Sequence, residues 1–237
     1  MKTLGLIGGM SWESSAQYYR LINEAVRNRL GGAHSAQLLL WSVDFADIKQ
    51  LQHDGQWDVL GNHMLDAARR LQAGGAELLV ICTNTMHMLA GRIEAECPLP
   101  LLHIADPTAT AILQAGIRKV GLLGTAFTME QAFYRDRLQD RFGLQVLVPE
   151  ADDRRCVHDI IYQELIAGVA SEHSRQVYAG VIARLVARGA EAIILGCTEI
   201  MLLVRPEDSA VPLFDTTTLH ALAAVDAALA RPRAASA

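Results

Sequence analysis

Two short clusters in this chain hold residue types that could move a proton. Cys197 stands in Gly196-Cys197-Thr198-Glu199, directly after the apolar run Ala192–Leu195. Thr83 stands in Thr83-Asn84-Thr85-Met86-His87, just beyond the apolar run that ends at Ile81. A thiol at a strand end, facing the N-terminus of a following helix, is shifted toward thiolate by backbone N–H groups and the helix dipole. The same amides, with the hydroxyls of Thr85 and Thr198, suit a carboxylate. Side chains alternate along a strand, so if Thr83 faces a ligand, Cys82 faces the core. Cys97, before Pro98, and Cys156, inside a helical pattern, read as small buried hydrophobes. Of the four thiols, Cys197 is the one placed for chemistry.

The elements that must position these clusters are short apolar runs alternating with longer segments of helical period. Residues 3–7, 37–43, 77–81, 101–104, 120–123, 144–148, 192–195 and 211–214 read as strands. Residues 14–30, 59–73, 86–96, 108–114, 129–142, 154–166, 172–187 and 219–230 read as helices. The runs are continuous rather than alternating, as in a parallel sheet covered by helices on both faces. The fold class is therefore α/β, doubly wound, in which ligands bind beyond the carboxyl ends of the strands. Asp215-Thr216-Thr217 reads as a helix N-cap, Trp12-Glu13 as a helix start, and residues 231–237 as a frayed end.

The chain also repeats itself. Gly75-Ala76-Glu77 and the strand after it return 114 residues later as Gly189-Ala190-Glu191 and its strand. Leu4-Gly5-Leu6-Ile7-Gly8 returns after 116 residues as Val120-Gly121-Leu122-Leu123-Gly124, and Tyr18 then falls on Tyr134. At the offset of 114, Thr83 falls on Cys197. Two lobes on one plan of about 115 residues are expected, with residues 1–112 plus 215–237 forming the first, which carries Thr83, and residues 113–214 forming the second, which carries Cys197. A pseudo-twofold would bring the two clusters face to face.

Composition excludes several classes. With 51% apolar and 20% charged residues the chain is no disordered protein. No apolar stretch is long enough to span a bilayer, and no secretory signal follows Met1, which points to a cytoplasmic protein without a membrane partner. A net charge of −5 without basic blocks argues against nucleic acid. The scattered cysteines show no metal-ligand spacing, so no metal is expected, and they read as free thiols in a reducing compartment. Only three lysines are present, Lys2, Lys49 and Lys119, none at a strand-end cluster, which counts against pyridoxal phosphate. Gly5-x-x-Gly8-Gly9 lacks dinucleotide-loop spacing, so its glycines read as a close backbone approach to a small carboxylate or as a plain tight turn.

Taken together, the clusters Thr83-Asn84-Thr85-x-His87 and Gly196-Cys197-Thr198-Glu199 resemble the aspartate/glutamate racemase family. The opening Gly5-Leu6-Ile7-Gly8-Gly9-Met10-Ser11-Trp12-Glu13-Ser14 and the later Phe214-Asp215-Thr216-Thr217 are similar to its amino-acid racemases. The resemblance covers essentially the whole chain. It implies two pseudo-symmetric Rossmann-like lobes, each a mainly parallel sheet flanked by helices, with the active site in the cleft between them. It also implies a homodimer and catalysis without pyridoxal phosphate or metal, by one thiolate that removes the Cα proton and a second thiol that returns one to the opposite face.

This sequence departs from that pattern by carrying Thr83 in place of the first cysteine. A hydroxyl is a far weaker acid than a thiol of pKa ~8.5, so Thr83 is a poor base. Reprotonating a carbanion-like intermediate, directly or through a held water, asks less of it. The expectation is a racemase of L-aspartate and L-glutamate, with Cys197 as base, Thr83 as proton donor and a preference for L-substrates. The resemblance places Met10, Gln52, Asn84, Thr85, Thr125, Thr198 and Glu199 in substrate binding. Asn84 and Thr85 would donate to the α-carboxylate and Glu199 would pair with the α-ammonium. Position 164, a lysine in some aspartate racemases, is Glu164 here, which puts strict aspartate specificity in doubt; Arg20, Arg154 and Arg155 are possible replacements for that cation. The alternatives are a single-thiol decarboxylase or isomerase of the same superfamily, and a non-catalytic dicarboxylate or amino-acid binding protein.

Overall fold

Every residue of Leu4–Gly8 is buried, as are all four of Leu78–Ile81 and all five of Ala192–Gly196. Runs of that kind are stable only where both faces of a sheet are covered. The computed structural model describes residues 1–230 and shows two all-parallel four-stranded sheets. In chain order the elements are β1 (Leu4–Gly8), α1 (Trp12–Leu30), β2 (Leu38–Ser42), α2 (Phe45–His53), α3 (Trp57–Ala73), β3 (Leu78–Ile81), α4 (Ala90–Glu96), β4 (Leu101–Leu102) and α5 (Ala105–Gln114). There follow β5 (Lys119–Gly124), α6 (Ala126–Glu130), α7 (Ala132–Asp136), β6 (Gln145–Leu147), α8 (Ala151–Gln163), α9 (Glu172–Ala187), β7 (Ala192–Gly196), α10 (Ile200–Leu203), β8 (Leu213–Asp215) and α11 (Thr216–Leu229). The tail expected to fray, 231–237, lies outside the described residues.

The sheets run β2-β1-β3-β4 and β6-β5-β7-β8, so the repeat read from the sequence is one strand order used twice. Its Gly-Ala-Glu signature has a physical job in each copy. Gly75 and Gly189 take φ of +94° and +92°, which turns the chain out of α3 and α9. The Glu77 carboxylate then accepts the Thr3 N–H at 2.8 Å, while that of Glu191 accepts those of Arg118 and Lys119, both at 3.0 Å. Each glutamate thus ties the entrance of the central strand to its neighbour. These backbone donors hold the Glu191 carboxyl below the usual range.

The chain divides into two compact units. The first comprises Met1–Ile81, Leu89–Leu102 and the described chain from Ala221; the second comprises Cys82–Met88 and His103–His220. These bounds differ from the expected breaks at 112/113 and 214/215, and Thr83 falls in the same unit as Cys197. Hydrogen bonds explain the difference: Asn84 Nδ2 donates to Thr216 Oγ1 at 3.0 Å, and Thr85 Oγ1 and Thr125 Oγ1 lie 3.0 Å apart. Helix α5 also belongs there, because Ile104, Ala105, Ala109 and Ile112 pack on Val120, Leu122, Ala192 and Ile194. The other face of that sheet meets α8 and α9 through Leu123, Ile193, Leu195, Val157, Ile161, Val181 and Leu185.

Several local expectations are corrected. Strand β2, expected to be covered, leaves Leu40 and Trp41 exposed, and the Arg70 guanidinium lies 4.6 Å above the Trp41 ring. The helix expected over 129–142 is broken where Gln131 turns extended, and resumes as α7 and a π turn over Arg137–Arg141. Helix α2, capped by Asp44 Oδ1 on the Ala46 N–H, lies in a stretch that the periodicity left unassigned. Cys156 is exposed rather than buried; Cys82 and Cys97 are buried.

At the start of α5, His103 Nδ1 accepts the Ala105 N–H at 3.2 Å, so this ring must be unprotonated at Nδ1. Asp106 holds Arg137 through a fork of 2.6 and 2.8 Å, which brings a cation near the imidazole. Burial first, then Arg137, His220 and Arg141, lower the His103 pKa to about 3.

Two measurements check this account. His103 resists protonation in the fold and takes a proton freely when unfolded, so its contribution to stability is complete above pH 6.5 and shrinks as pH falls from 6.5 toward 3. Denaturation curves of His103→Asn should therefore show a flatter acid limb than the parent, and an unchanged slope would contradict the buried neutral ring. Glycine replacements should divide by sign. A Cβ at Gly196 would stand 2.7 Å from the Leu123 carbonyl oxygen, whereas at Gly91 in α4 it meets nothing within 4 Å. Gly196→Ala should cost about 1–3 kcal/mol. Gly91→Ala should stabilise by about 0.4–1 kcal/mol.

Candidate active site

Strands β5 and β7 are in register with Gly124 opposite Gly196, so Thr125 and Cys197 leave neighbouring strand ends side by side. Both glycines are required there: a Cβ on Gly124 would lie 2.8 Å from the Gly196 carbonyl oxygen. Thr125 caps α6, accepting the Thr128 N–H at 3.3 Å, and its hydroxyl also meets that of Thr85. The Cys82–Met88 turn is thereby hydrogen-bonded to the end of β5.

Cys197 is 8% exposed and packs in the cluster that contains Tyr178, Val181 and Ile200. Its Sγ donates to Glu199 Oε2 at 3.0 Å, and Thr198 Oγ1 donates to the same oxygen at 2.7 Å. Burial raises the thiol pKa well above its ordinary value, and the Glu199 charge and this hydrogen bond raise it further. The N–H groups of Glu199 and Thr198 pull the other way and do not prevail. The shift toward thiolate expected from the strand end is thus reversed: the resting sulfur is a protonated thiol bonded to a carboxylate. Cys82 is fully buried, as alternation requires, and its thiol is also pushed up by burial.

Asn84 is 2% exposed, and its orientation is fixed by what surrounds it. Thr216 Oγ1 donates to the Leu195 carbonyl at 2.9 Å, so that oxygen accepts from Asn84 and must meet its Nδ2. The Asn84 Oδ1 is then left buried with no hydrogen-bond partner, and so is the Thr217 hydroxyl at the start of α11. A buried acceptor without a donor costs about 1–3 kcal/mol, which a ligand N–H or a water would relieve. Besides the donor expected of it, Asn84 thus presents a buried acceptor, while Thr216 takes one of the two N–H groups of Nδ2. Asp215 caps α11 as expected, with Oδ1 on the Thr217 N–H at 3.0 Å.

Thr83 is half-buried, and its carbonyl oxygen lies 2.7 Å from His87 Nδ1. Met10 and Gln52 belong to the first unit, both buried, Met10 in the β1–α1 turn and Gln52 on α2. In that turn the glycines serve packing: Gly9 N–H donates to Ser15 Oγ at 2.8 Å, and a Cβ on Gly8 would reach that same hydroxyl. Glu164 Oε2 accepts from Ser171 and Ser174 at 3.0 and 2.7 Å, so it braces the start of α9. Of the candidate replacement cations, Arg20 is paired with Glu24, Arg154 with Glu130, and Arg155 is exposed.

Two aromatic residues escaped the sequence reading. The phenol pKa values of Tyr162 and Tyr178 are raised by burial first and then by Cys197 and Glu199, which places both rings near the thiol. The Tyr162 ring lies 4.6 Å from that of His158, whose Nδ1 accepts the Ala126 N–H at 3.1 Å. Residues 158 and 162 sit one turn apart on α8, and that i, i+4 spacing was the available signal. Among the described residues no three His, Cys, Asp or Glu side chains group as metal ligands, and no helix is long and apolar enough to cross a membrane.

Comparison with known proteins identifies the family. The model of the Asp/Glu/hydantoin racemase family matches residues 7–224. A Yersinia pestis protein assigned to the Asp/Glu racemases is 56% identical, with 97% of this chain and 100% of that one covered and a TM-score of 0.90. An aspartate racemase homologue from Pyrococcus horikoshii OT3 is 31% identical over 96% of this chain and 99% of its own, with a TM-score of 0.83. The broad specificity amino-acid racemase RacX of Bacillus subtilis is 21% identical over 96% of this chain and 98% of its own. With its two parallel sheets, its strand-end thiol and a family match over almost its full length, this chain belongs to the Asp/Glu/hydantoin racemase family and is a racemase, an isomerase.

Proposed function

We propose that this racemase inverts acidic α-amino acids, L-aspartate and L-glutamate, without a cofactor, with Cys197 as the base and Thr83 as the proton donor on the opposite face. The observation that carries the reading is the Cys197–Glu199 pair. A thiol already donating to a buried carboxylate has an acceptor for its proton at hydrogen-bond distance. In this reading the proton passes from Sγ to Glu199 Oε2 as substrate binds, and the thiolate then takes the Cα proton. The electron pair left on Cα delocalises into the α-carboxylate. Thr83, directly or through a water, gives a proton to the other face and recovers one from solvent, and Glu199 returns its own proton to solvent. The N–H groups of Thr198 and Glu199 that favour a charged sulfur stabilise the thiolate while it exists.

The same reading assigns the binding residues. Asn84 Oδ1, a buried acceptor lacking a donor, takes the α-ammonium. That contact replaces a desolvated vacancy with a charge-assisted bond. Thr85, Thr125 and Thr198 supply hydroxyls around the carboxylate, and Met10 and Gln52 complete the set that the family resemblance suggests. The acidic substrate class rests on the printed functions of relatives, an aspartate racemase homologue and a glutamate racemase.

The assay that decides is chiral chromatography over the common L-amino acids, without added pyridoxal phosphate. Turnover should favour L-aspartate and L-glutamate, and no turnover of any amino acid would remove the proposal. In D2O, Cα exchange should run faster from L- than from D-substrate, since a thiol faces one side and a hydroxyl the other. Cys197→Ser should lower both exchange and racemisation by about 10² or more. Ligand affinity that survives with activity absent already in the parent would favour a binding protein instead.

The pH dependence of thiol alkylation gives an independent check on the resting state. Because burial first and then Glu199 raise the thiol pKa, Cys197 should stay unreactive toward iodoacetamide through neutral pH in the ligand-free protein. Glu199→Gln removes the negative charge, so the onset of Cys197 alkylation should move to lower pH while racemisation falls. An onset that moves upward would contradict the pairing.

A further inference from the structure

The geometry points to His87 as a positioning residue for the proton donor: its imidazole holds the Thr83 peptide in place, and Ile104 fixes the tautomer that it needs. The inference rests on the reading of Thr83 given above. In an α-helical start the Thr83 carbonyl would receive the His87 N–H. Here that N–H goes instead to the Asn84 carbonyl at 3.1 Å, as the chain enters a 3₁₀ turn over Thr85–Leu89. The His87 side chain supplies a donor in its place, with Nδ1 2.7 Å from the Thr83 oxygen.

The direction of that bond follows from the other side of the ring. The Ile104 N–H donates to His87 Nε2 at 3.1 Å, so Nε2 is an acceptor and carries no proton. A neutral imidazole has a single N–H, which must then sit on Nδ1 and donate to the Thr83 carbonyl. The ring is buried between two others, with centroids 4.6 Å from His103 and 5.6 Å from His220. Successive amides of one loop, Ile104 and Ala105, are thus received by His87 and His103. The start of α5 is thereby connected through one imidazole to the residue assigned to proton return. His87 acts only through Thr83.

A merely structural histidine would affect both faces of the reaction alike, whereas this one should affect only the Thr83 face. The experiment compares the parent with His87→Phe and His87→Asn, using L-aspartate or L-glutamate in D2O. It reads two rates, deuterium entering recovered L-substrate and formation of the D-enantiomer. Phenylalanine fills the ring space without either hydrogen bond, while the asparagine amide nitrogen reaches where Nδ1 stands. In His87→Phe, inversion should fall about ten-fold more than exchange. His87→Asn should restore most of the ratio. If the phenylalanine variant does not fold, His87→Asn against His87→Gln carries the same contrast, because the glutamine amide reaches the Nε2 position. Equal losses in exchange and inversion in a folded variant, or no loss in either, overturn the role of His87. Absence of exchange in the parent, or its survival in Cys197→Ser, overturns the assignment of base and donor instead.

Discussion

The register that sets Gly124 against Gly196 governs the chemistry of the second unit. Two parallel strands approach with no Cβ on either side, and a methyl group on either would press on a backbone carbonyl at 2.8 or 2.7 Å. That closeness places Thr125 beside Cys197, and Thr125 in turn holds Thr85. Asn84, one residue earlier, reaches Thr216, whose hydroxyl closes on the Leu195 carbonyl two residues before the thiol. The polar cluster is therefore built on backbone geometry first and on side chains second. Its precision comes from strands and turns rather than from mobile loops.

A second constraint is electrostatic. Cys197 and Glu199 share a desolvated corner in which two negative charges cannot coexist cheaply. One proton shared between them resolves the conflict and leaves the thiol neutral at rest. Burial and the Glu199 charge act in the same direction here, and the amides of Thr198 and Glu199 oppose them without prevailing.

How much of this was legible in the residues depends on the range of the interaction. Strand identities and the duplicated order were readable, because apolar runs and the Gly-Ala-Glu turn act over a few residues. The strand-end position of Cys197 was readable, and so was the burial of Cys82, from alternation alone. The protonation state of Cys197 was misread because it is a sum of opposing terms, burial and Glu199 against two backbone amides, whose sign local pattern does not give. The buried acceptor of Asn84 was not legible because its amide is oriented by Thr216, 132 positions away. The break at Gln131 carried no proline or glycine to mark it, and α2 was hidden by a polar stretch with weak periodicity.

The placement of Cys82–Met88 has a further consequence for the duplication. In sequence the turn belongs to the first copy, yet Asn84 bonds Thr216 of α11, Thr85 bonds Thr125 just after β5, and His87 receives the Ile104 amide ahead of α5. The sequence repeat and the compact unit are therefore different objects. A chain cut at the repeat boundary, between α5 and β5, would strip the second fragment of the turn bonded to Thr125 and Thr216 and of the helix that covers one sheet face. Neither half on its own would keep the bonds of Asn84 and Thr85, so the repeat visible in the sequence does not coincide with the compact unit.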